Sequence, residues 1–285
     1  MPDFPVVDAH VHFYDPARLS YPWLADVPAI AGAHGPTDYA RAATRTVVDK
    51  MVFVEVDARP EDRFAEAEAV STLQKSEPRI AGIVASALLE RGAKAAVAEI
   101  ERLQAIGPLC GIRRQIQNQS APGWCTTPDF IAGVRALAQY DLPFDICIKH
   151  EQLPDAIRLI SACPDVRFVL DHIAKPPIRA GEFEPWATNL QRIADLPNIV
   201  CKMTGVTTEA DHASWTPEII RPYIDHAFSC FGTGRMLFCS DWPVLTMSDS
   251  FEGWVALLDD VLKGASDTAL RDFYRNNAIR TYRLT

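Results

Sequence analysis

Short runs of apolar and β-branched residues recur along the chain, separated by longer stretches of mixed character. Runs of this kind, bounded by polar or turn-forming residues, are typical of buried strands. The pattern predicts eight strands: Val6–His12, Val47–Val56, Ile80–Ser86, Leu109–Gln115, Phe144–Ile148, Arg167–His172, Ile199–Met203 and Met236–Asp241. Their spacing leaves room for one helix and two loops between successive strands, as a βα unit requires.

Amphipathic segments, with apolar residues at helical spacing, lie between the predicted strands. They include Arg63–Lys75, Ala93–Gln104, Asp129–Gln139 and a segment beginning at Pro154. The stretch Tyr14–Tyr39 is irregular and long. Loops of this length in compact domains are usually functional, so we expect it to cover an active site.

The eight strand–helix alternations favour a closed (β/α)8 barrel, the TIM barrel, an α/β fold that typically takes ~250 residues. The alternative is an open doubly wound sheet, but no GxGxxG motif follows the first predicted strand. No Gly-, Ser- or Pro-rich linker and no short repeat divides the chain. We therefore expect a single domain covering residues 1–285.

Composition and charge narrow the choice of partners. The chain is 48% hydrophobic and 23% charged, as in soluble globular proteins. Its net charge of −9, with no basic cluster, argues against nucleic acid. Neither a signal peptide nor a membrane-spanning run is visible, and the seven cysteines form no CxxC pair, which indicates reduced thiols. These features predict a cytoplasmic protein without nucleic-acid or membrane contact, which leaves a small-molecule partner and a homo-oligomer open.

His10 and His12 form an HxH motif at the end of the first predicted strand. Alternate residues of a strand share a face, so both imidazoles should point into the mouth of the barrel, where (β/α)8 active sites lie. Together they can hold one divalent cation or bind a substrate carbonyl, although both can also be buried histidines satisfied by the backbone. Asp8 is expected on the same face, where it can orient an imidazole.

Two further candidates end predicted strands. His172 closes FVLDH, with Asp171 expected on the opposite face in a structural role. Asp241 closes MLFCSD, before Trp242 and Pro243. A carboxylate at a barrel mouth can activate water as a general base, directly or while binding a metal. The alternative, a helix cap, is weakened by the distance to the next helical segment near Ser250.

These motifs occur within a longer series of phrases: VVDAHVHFYDPARLSYPWL, GIRRQIQNQ, TTPDFIAGVRAL, KHEQLPDAI, LDHIAKP, NIVCKMTGVTTEAD, FCSDWPV and NNAIRTYRL. The series resembles the amidohydrolase superfamily, and most closely the sugar-lactonase branch of the amidohydrolase-2 family. The resemblance covers essentially the whole chain. It implies a (β/α)8 lactonase that opens a cyclic ester with water, in sugar catabolism.

The resemblance also implies roles for individual residues. His10, His12 and Asp241 would form a site for one divalent metal, with Zn²⁺ expected, while Asp241 and His172 would be catalytic. Arg113 and Lys202 stand where such enzymes place cations near the substrate. The chain departs from the binuclear members because it lacks their bridging lysine, and the branch includes metal-free members.

Several assignments keep alternatives. Glu55, an acidic residue in an apolar strand, and His150 are candidates as metal ligands or hydroxyl contacts; each can instead be a structural polar residue. Arg113 can also form a rim salt bridge with no substrate contact, and Arg114 is its neighbour.

The expected mechanism has Asp241 deprotonate a water that attacks the lactone carbonyl, with His10, His12 and any bound metal polarising that carbonyl. His172 would assist proton transfer to the leaving ring oxygen.

A sugar lactone would pack its C–H faces on aromatic rings near the mouth. The candidates are Tyr14, Tyr21, Trp23, Trp124 and Trp242. A dianionic aromatic lactone would require several arginines there, so a neutral aldonolactone is favoured. The resemblance implies one of the L-rhamnono or L-fucono type. Two alternatives are a metal-dependent decarboxylase or hydratase of the same superfamily and a non-catalytic barrel that binds a sugar acid.

Overall fold

The structure is a computed structural model that describes residues 2–119 and 121–285. These residues form eight parallel strands, each paired with the next in chain order. The strands are β1 (Val6–Val11), β2 (Val48–Val54), β3 (Ile80–Ser86), β4 (Leu109–Gln115), β5 (Phe144–Cys147), β6 (Phe168–Leu170), β7 (Ile199–Met203) and β8 (Met236–Phe238).

Helices alternate with the strands and cover the outside of the sheet. The α-helices are α1 (Pro36–Ala42), α2 (Arg63–Gln74), α3 (Ala93–Ile106), α4 (Pro128–Ala136), α5 (Leu153–Ala162), α6 (Trp186–Ala194), α7 (Pro217–Phe231), α8 (Phe251–Val261), α9 (Asp267–Arg271) and α10 (Asn277–Tyr282). Helices α2, α3 and α5 begin within one residue of the predicted starts.

The sheet closes between its first and last strands. The His12 amide donates to the Trp242 carbonyl at 2.8 Å, and the Asp241 amide donates to the His10 carbonyl at 2.9 Å. These bonds join the residues after β8 to the end of β1. The prediction of a (β/α)8 barrel is confirmed, and the doubly wound alternative is wrong.

Two apolar layers stabilise the barrel. An inner layer fills its lower half with side chains such as Val7, Val52, Val169 and Leu237, and Tyr282 of α10 packs against it from below. An outer layer, which includes Phe144 and other strand residues that face outward, packs against the helices. Polar groups are therefore concentrated in the upper half of the barrel, at the carboxyl ends of the strands.

The strands β3, β4 and β7 have the predicted bounds, whereas β6 and β8 end earlier than predicted. Strand β6 stops at Leu170 because His172 adopts a left-handed backbone with φ of 55°. Asp241, after β8, has a φ of 59°. Both predicted catalytic residues therefore lie just beyond their strands, in a conformation that non-glycine residues rarely adopt.

The segment Tyr14–Tyr39, predicted to be an irregular cover, contains short 3-10 turns and the start of α1. Its residues Trp23, Asp26 and Val27 line a cavity at the barrel mouth. All seven cysteines are buried and unpaired. Within residues 2–119 and 121–285, no helix is long and apolar enough to cross a membrane.

Candidate active site

Three imidazoles and one carboxylate meet at the floor of a cavity of about 290 Å³ at the barrel mouth. His10 Nε2 lies 3.1 Å from His12 Nε2. Asp241 Oδ1 is 3.5 Å from His10 Nε2 and 3.2 Å from His12 Nε2, and Asp241 Oδ2 is 3.8 Å from His172 Nδ1. Residues far apart in the sequence thus share one buried polar centre.

The two β1 histidines reach this centre because of an irregularity in their strand. Pairing with β2 shifts by one residue between Asp8 and Val11, so strict alternation does not extend from Asp8 to the histidines. The prediction that Asp8 orients an imidazole is therefore wrong. Its carboxylate instead accepts hydrogen bonds from the Tyr39 hydroxyl at 2.9 Å and the Ser240 amide at 2.9 Å.

Asp171 and His172 both face the interior, although consecutive strand residues should face opposite sides. Val169 belongs to the inner layer, so alternation brings Asp171 inward as well. The left-handed backbone at His172 then turns its imidazole into the mouth. The predicted outward position of Asp171 is wrong, because Asp171 shares the inner face of β6 with Val169, and His172 is the residue that departs from the alternation.

The protonation states follow from the contacts of each group. His12 Nδ1 lies 2.8 Å from the Val54 carbonyl, which can only accept, so Nδ1 carries the proton and the Nε2 lone pair faces the centre. Burial lowers the pKa of His172 to about 4 and leaves it neutral near pH 7. Burial acts to raise the pKa of Asp241, but the surrounding histidines, His172 foremost, hold it below the usual value. Asp241 is therefore an ionised base beside the neutral imidazole of His172.

A network of buried charges supports the centre from below. Arg113 Nε donates to Glu55 Oε1 at 2.6 Å, and its Nη1 donates to Asp171 Oδ2 at 3.1 Å. Lys202 Nζ bonds Asp145 Oδ2 at 2.5 Å and lies 3.0 Å from Asp171 Oδ1. Burial would lower the pKa of Lys202, but these carboxylates outweigh it and keep the ammonium charged. The ion pairs compensate charges that are expensive to bury alone.

The network also contacts the polar centre. Lys202 Nζ lies 3.2 Å from His10 Nδ1, and Arg113 Nη1 lies 3.3 Å from His10 Nε2. Burial, followed by the Lys202 charge, lowers the pKa of His10 well below its usual value. His10 is therefore held as a neutral imidazole, and only one of its two ring nitrogens can accept a hydrogen bond from these cations.

The donor atoms of His10, His12 and Asp241 fit one divalent cation. Their separations of 3.1 to 3.5 Å match the roughly 3.3 Å between ligand atoms of a tetrahedral zinc with bonds of about 2.0–2.1 Å. A second group, His10, Asp171 and His172, is also close enough, but Arg113 and Lys202 already bind its carboxylate. The first group is therefore the better site, with Zn²⁺ the expected ion.

The remaining predicted site residues lie elsewhere. Glu55 is not in either metal-binding group of the described residues, because it pairs with Arg113. Lys202 is completely buried beneath His10 and cannot reach the cavity. Trp242, 3% exposed, packs edge-to-face against His34 and Tyr39. These positions correct the assignments of Glu55 as a ligand and of Lys202 and Trp242 as substrate contacts.

His150 also lies outside the cavity lining within the described residues, and its Nε2 is 3.3 Å from Glu151 Oε1. Arg113 does line the cavity. Arg114 binds Glu90 through two nitrogens, at 2.7 and 3.0 Å. Of the aromatic candidates, Trp23 lines the cavity, whereas Trp124 packs on Phe130.

The cavity wall contains charged and polar residues that the sequence reasoning missed. The side chains of Asp26, Asp57, Gln115, Gln117, Asn118 and Lys175 contribute to it. Most lie just after a predicted strand. That position alone could have identified them as candidates for the cavity wall. Lys175 lies three residues after His172, and this spacing becomes informative only once the turn between them is known.

Gly205 provides the space for His172. Its φ is 75°, and a Cβ there would lie 2.7 Å from His172 Cβ, closer than packed side chains tolerate. Gly205→Ala should therefore displace the imidazole, reduce turnover by at least about tenfold and destabilise the fold by more than about 1 kcal/mol. Gly181→Ala is the matched control, because Gly181 has a φ of 68° with no atom within 4 Å. Equal activity in the two variants, measured with thermal denaturation, would contradict the positioning role.

Comparisons with known proteins agree with this geometry. The amidohydrolase family model matches residues 7–284. An L-fucono-1,5-lactonase of Burkholderia ambifaria is 30% identical over 255 residues, covering 88% of this chain and 85% of that protein. A Burkholderia multivorans amidohydrolase crystallised with bound zinc superposes with a TM-score of 0.87 at 27% identity, covering 99% of this chain and 100% of that one.

A Pseudomonas putida protein described as a putative 2-pyrone-4,6-dicarboxylic acid hydrolase superposes with a TM-score of 0.72 at 18% identity, covering 98% of this chain and 97% of that one, and shows a shared fold. The family match spans nearly the whole chain and includes every residue of the polar centre. The chain belongs to the amidohydrolase family.

Proposed function

We propose that this protein is a lactonase that opens a neutral sugar-acid lactone, of the L-fucono or L-rhamnono type, by attack of water on the ester carbonyl. The observation that carries the proposal is the ionised Asp241 held against three imidazoles at the floor of a cavity open to solvent. Relatives named L-fucono-1,5-lactonase and L-rhamnono-gamma-lactonase support the substrate class.

Asp241 has the position and charge of a general base. It takes a proton from water as the water oxygen bonds to the carbonyl carbon and the carbonyl π electrons move to oxygen. Neutral His172, 3.8 Å from Asp241 Oδ2, passes that proton to the ring oxygen as the ring C–O bond breaks. The product is an open-chain aldonate with a new hydroxyl, and one proton is released overall at neutral pH.

His10, His12 and Asp241 would hold the divalent cation that their spacing fits. Such an ion, when bound, supplies Lewis-acid polarisation worth several kcal/mol of transition-state stabilisation. The chain itself fixes the ligand tautomer at His12 through the Val54 carbonyl. This hydrogen bond keeps the Nε2 lone pair available.

Removal of a ligand should therefore weaken metal binding. We expect one equivalent of Zn²⁺ in the wild-type protein and an affinity at least about tenfold lower in His12→Asn, measured by metal analysis after dialysis against a competing chelator. His212→Asn, an exposed histidine that bonds the Thr208 carbonyl, is the control. Full zinc occupancy in His12→Asn under the same competition would contradict this site.

The charges around the cavity favour a neutral substrate. Glu55 and Asp171 compensate Arg113, and Glu90 compensates Arg114. A dianionic lactone would therefore have to displace existing carboxylates from these guanidinium groups, at a high desolvation cost. The carboxylates of Asp26 and Asp57 and the amides of Gln117 and Asn118 instead suit sugar hydroxyls.

The proposal is tested by following proton release with a pH indicator over a panel of L- and D-aldonolactones, with and without chelator. We expect acceleration above the spontaneous rate for at least one neutral sugar lactone and little for 2-pyrone-4,6-dicarboxylate. Carbon dioxide in the headspace from an acid substrate would instead establish a decarboxylase. Saturable binding of sugar acids in calorimetry, with no accelerated proton release, would establish a binding protein.

A further inference from the structure

A strained turn follows β6 at the cavity wall. Four consecutive non-glycine residues, His172 to Lys175, have positive φ angles of 55°, 45°, 60° and 48°. A left-handed backbone costs roughly 1–2 kcal/mol per residue and is rarely sustained for four residues. The Lys175 amide bonds the His172 carbonyl at 2.8 Å, and Trp186 Nε1 bonds the Ile173 carbonyl at 2.8 Å. The surrounding fold therefore maintains a conformation that the chain itself disfavours.

The turn brings two functional side chains to the same face. In a helical turn of about three residues, side chains three positions apart lie above one another. His172 and Lys175 both line the cavity, while Ile173 and Ala174 between them are buried in the outer apolar layer. The strained backbone thus delivers an ammonium group beside the catalytic imidazole.

Lys175 differs from the other cations near the site in having donors available. Its side chain is 23% exposed, and its Nζ lies 3.8 Å from Glu209 Oε1, beyond good hydrogen-bond distance. Arg113 and Lys202, by contrast, are at most 3% exposed and are engaged by carboxylates at 2.5 to 3.1 Å. A ligand in the cavity can therefore accept a hydrogen bond from Lys175 without breaking a short ion pair.

The opposite wall carries negative charge. Asp57 follows β2 and has a left-handed φ of 54°, and its amide donates to Glu55 Oε2 at 2.9 Å. In a closed ring of eight strands paired in chain order, β2 and β6 are four strands apart and lie across the barrel from each other. Asp57 and Lys175 both line the cavity, so a carboxylate and an ammonium group face it from the β2 and β6 sides.

We infer that this pair orients the substrate. The Lys175 ammonium donates a hydrogen bond to the lactone carbonyl oxygen, which becomes the oxyanion, and keeps its own proton. The Asp57 carboxylate accepts hydrogen bonds from hydroxyls on the far side of the sugar ring. The inference rests on the proposed lactonase function and adds the direction in which the lactone lies: the ester at the β6 wall, the hydroxyls at the β2 wall.

The test separates the two contacts by using one lactone with hydroxyls and one without. The variants are Lys175→Met, Lys175→Arg and Asp57→Asn. Each is assayed for kcat and KM on the aldonolactone that the wild type opens fastest, and for the inhibition constant of δ-valerolactone against it. Lys149→Met and Asp165→Asn are controls that remove exposed charges outside the cavity lining of the described residues. Circular dichroism and zinc content establish that each variant is folded and loaded.

We expect Lys175→Met to lower kcat by about 10²-fold, as the loss of one oxyanion donor does, and Lys175→Arg to recover part of it. Asp57→Asn should raise KM for the aldonolactone by about tenfold or more and leave the δ-valerolactone inhibition constant within about twofold. The controls should match the wild type.

Equal effects of Asp57→Asn on both lactones, or a kcat in Lys175→Met within about threefold of the wild type, would overturn the assignment. A wild-type protein that accelerates no lactone in the panel would instead refute the proposed function itself.

Discussion

Replacing Asp241 with asparagine should reduce lactone turnover by about 10²–10⁴-fold while the barrel stays folded. The amide keeps the shape of the carboxylate but cannot take a proton from water. Asp241 also lies 3.2 Å from His12 Nε2, so the same change removes a negative ligand from the metal-binding group. The rate is measured by proton release under conditions in which zinc is saturating, so that lost binding of the ion does not add to the effect.

Asp249→Asn is the control for this variant, because Asp249 follows on the same loop and lies outside the cavity lining within the described residues. It should keep wild-type turnover. A near-wild-type rate in Asp241→Asn, with zinc bound and the melting temperature unchanged, would refute the assignment of Asp241 as the base.

Replacing Lys202 with methionine should destabilise the protein by about 3–5 kcal/mol, the usual cost of removing one partner from a buried ion pair. Lys202 is fully buried and lies against both Asp145 and Asp171. Its removal leaves two carboxylates facing each other beneath His10. The free energy of unfolding in urea measures the loss, and Lys263→Met, which removes an exposed lysine, should change it little.

A second substitution distinguishes charge from packing at this position. In Lys202→Met with Asp145→Asn, one of the two facing carboxylates has lost its charge, so the double variant should be more stable than Lys202→Met alone. Equal stability of the two would mean that methionine disrupts packing and that the ion pairs contribute little.

The barrel could be predicted from the sequence because its signal is local. Runs such as Ile80–Ser86 and Ile199–Met203 are apolar and bounded by turns, and their bounds in the structure are as predicted. HxH and the strand-end aspartate also identified residues that the fold brings together, since the carboxyl ends of all strands meet at one mouth.

The faces of individual residues could not be predicted where the backbone departs from regular geometry. The register shift in β1 separates Asp8 from the histidines, and the left-handed turn after β6 brings His172 inward beside Asp171. Alternation predicts neither, because both conformations depend on tertiary contacts such as the bond from Trp186 to Ile173. The position of Lys175 in the cavity wall could not be predicted for the same reason.

The pairing of buried charges also could not be predicted from the sequence. Glu55 was recognised as a charge in an apolar strand and Lys202 as a cation expected near the substrate, but their partners lie on other strands, at Arg113 and Asp145. A charged residue in a strand can bind the substrate or pair with another charge. Only its contacts in the structure show which of the two it does. Here Lys202 and Glu55 both bind other charges in the network beneath the site. The residues of the cavity wall are therefore the ones that can contact a ligand.

The fate of a ¹³C-labelled lactone carbonyl, followed by NMR with the wild-type enzyme, tests ring opening by water most directly. The account predicts that the ester resonance of a neutral aldonolactone is replaced, faster than in buffer alone, by a carboxylate resonance in a product with the same number of carbons. An ester signal that decays only at the spontaneous rate for every aldonolactone, or a label that appears as bicarbonate, would contradict it.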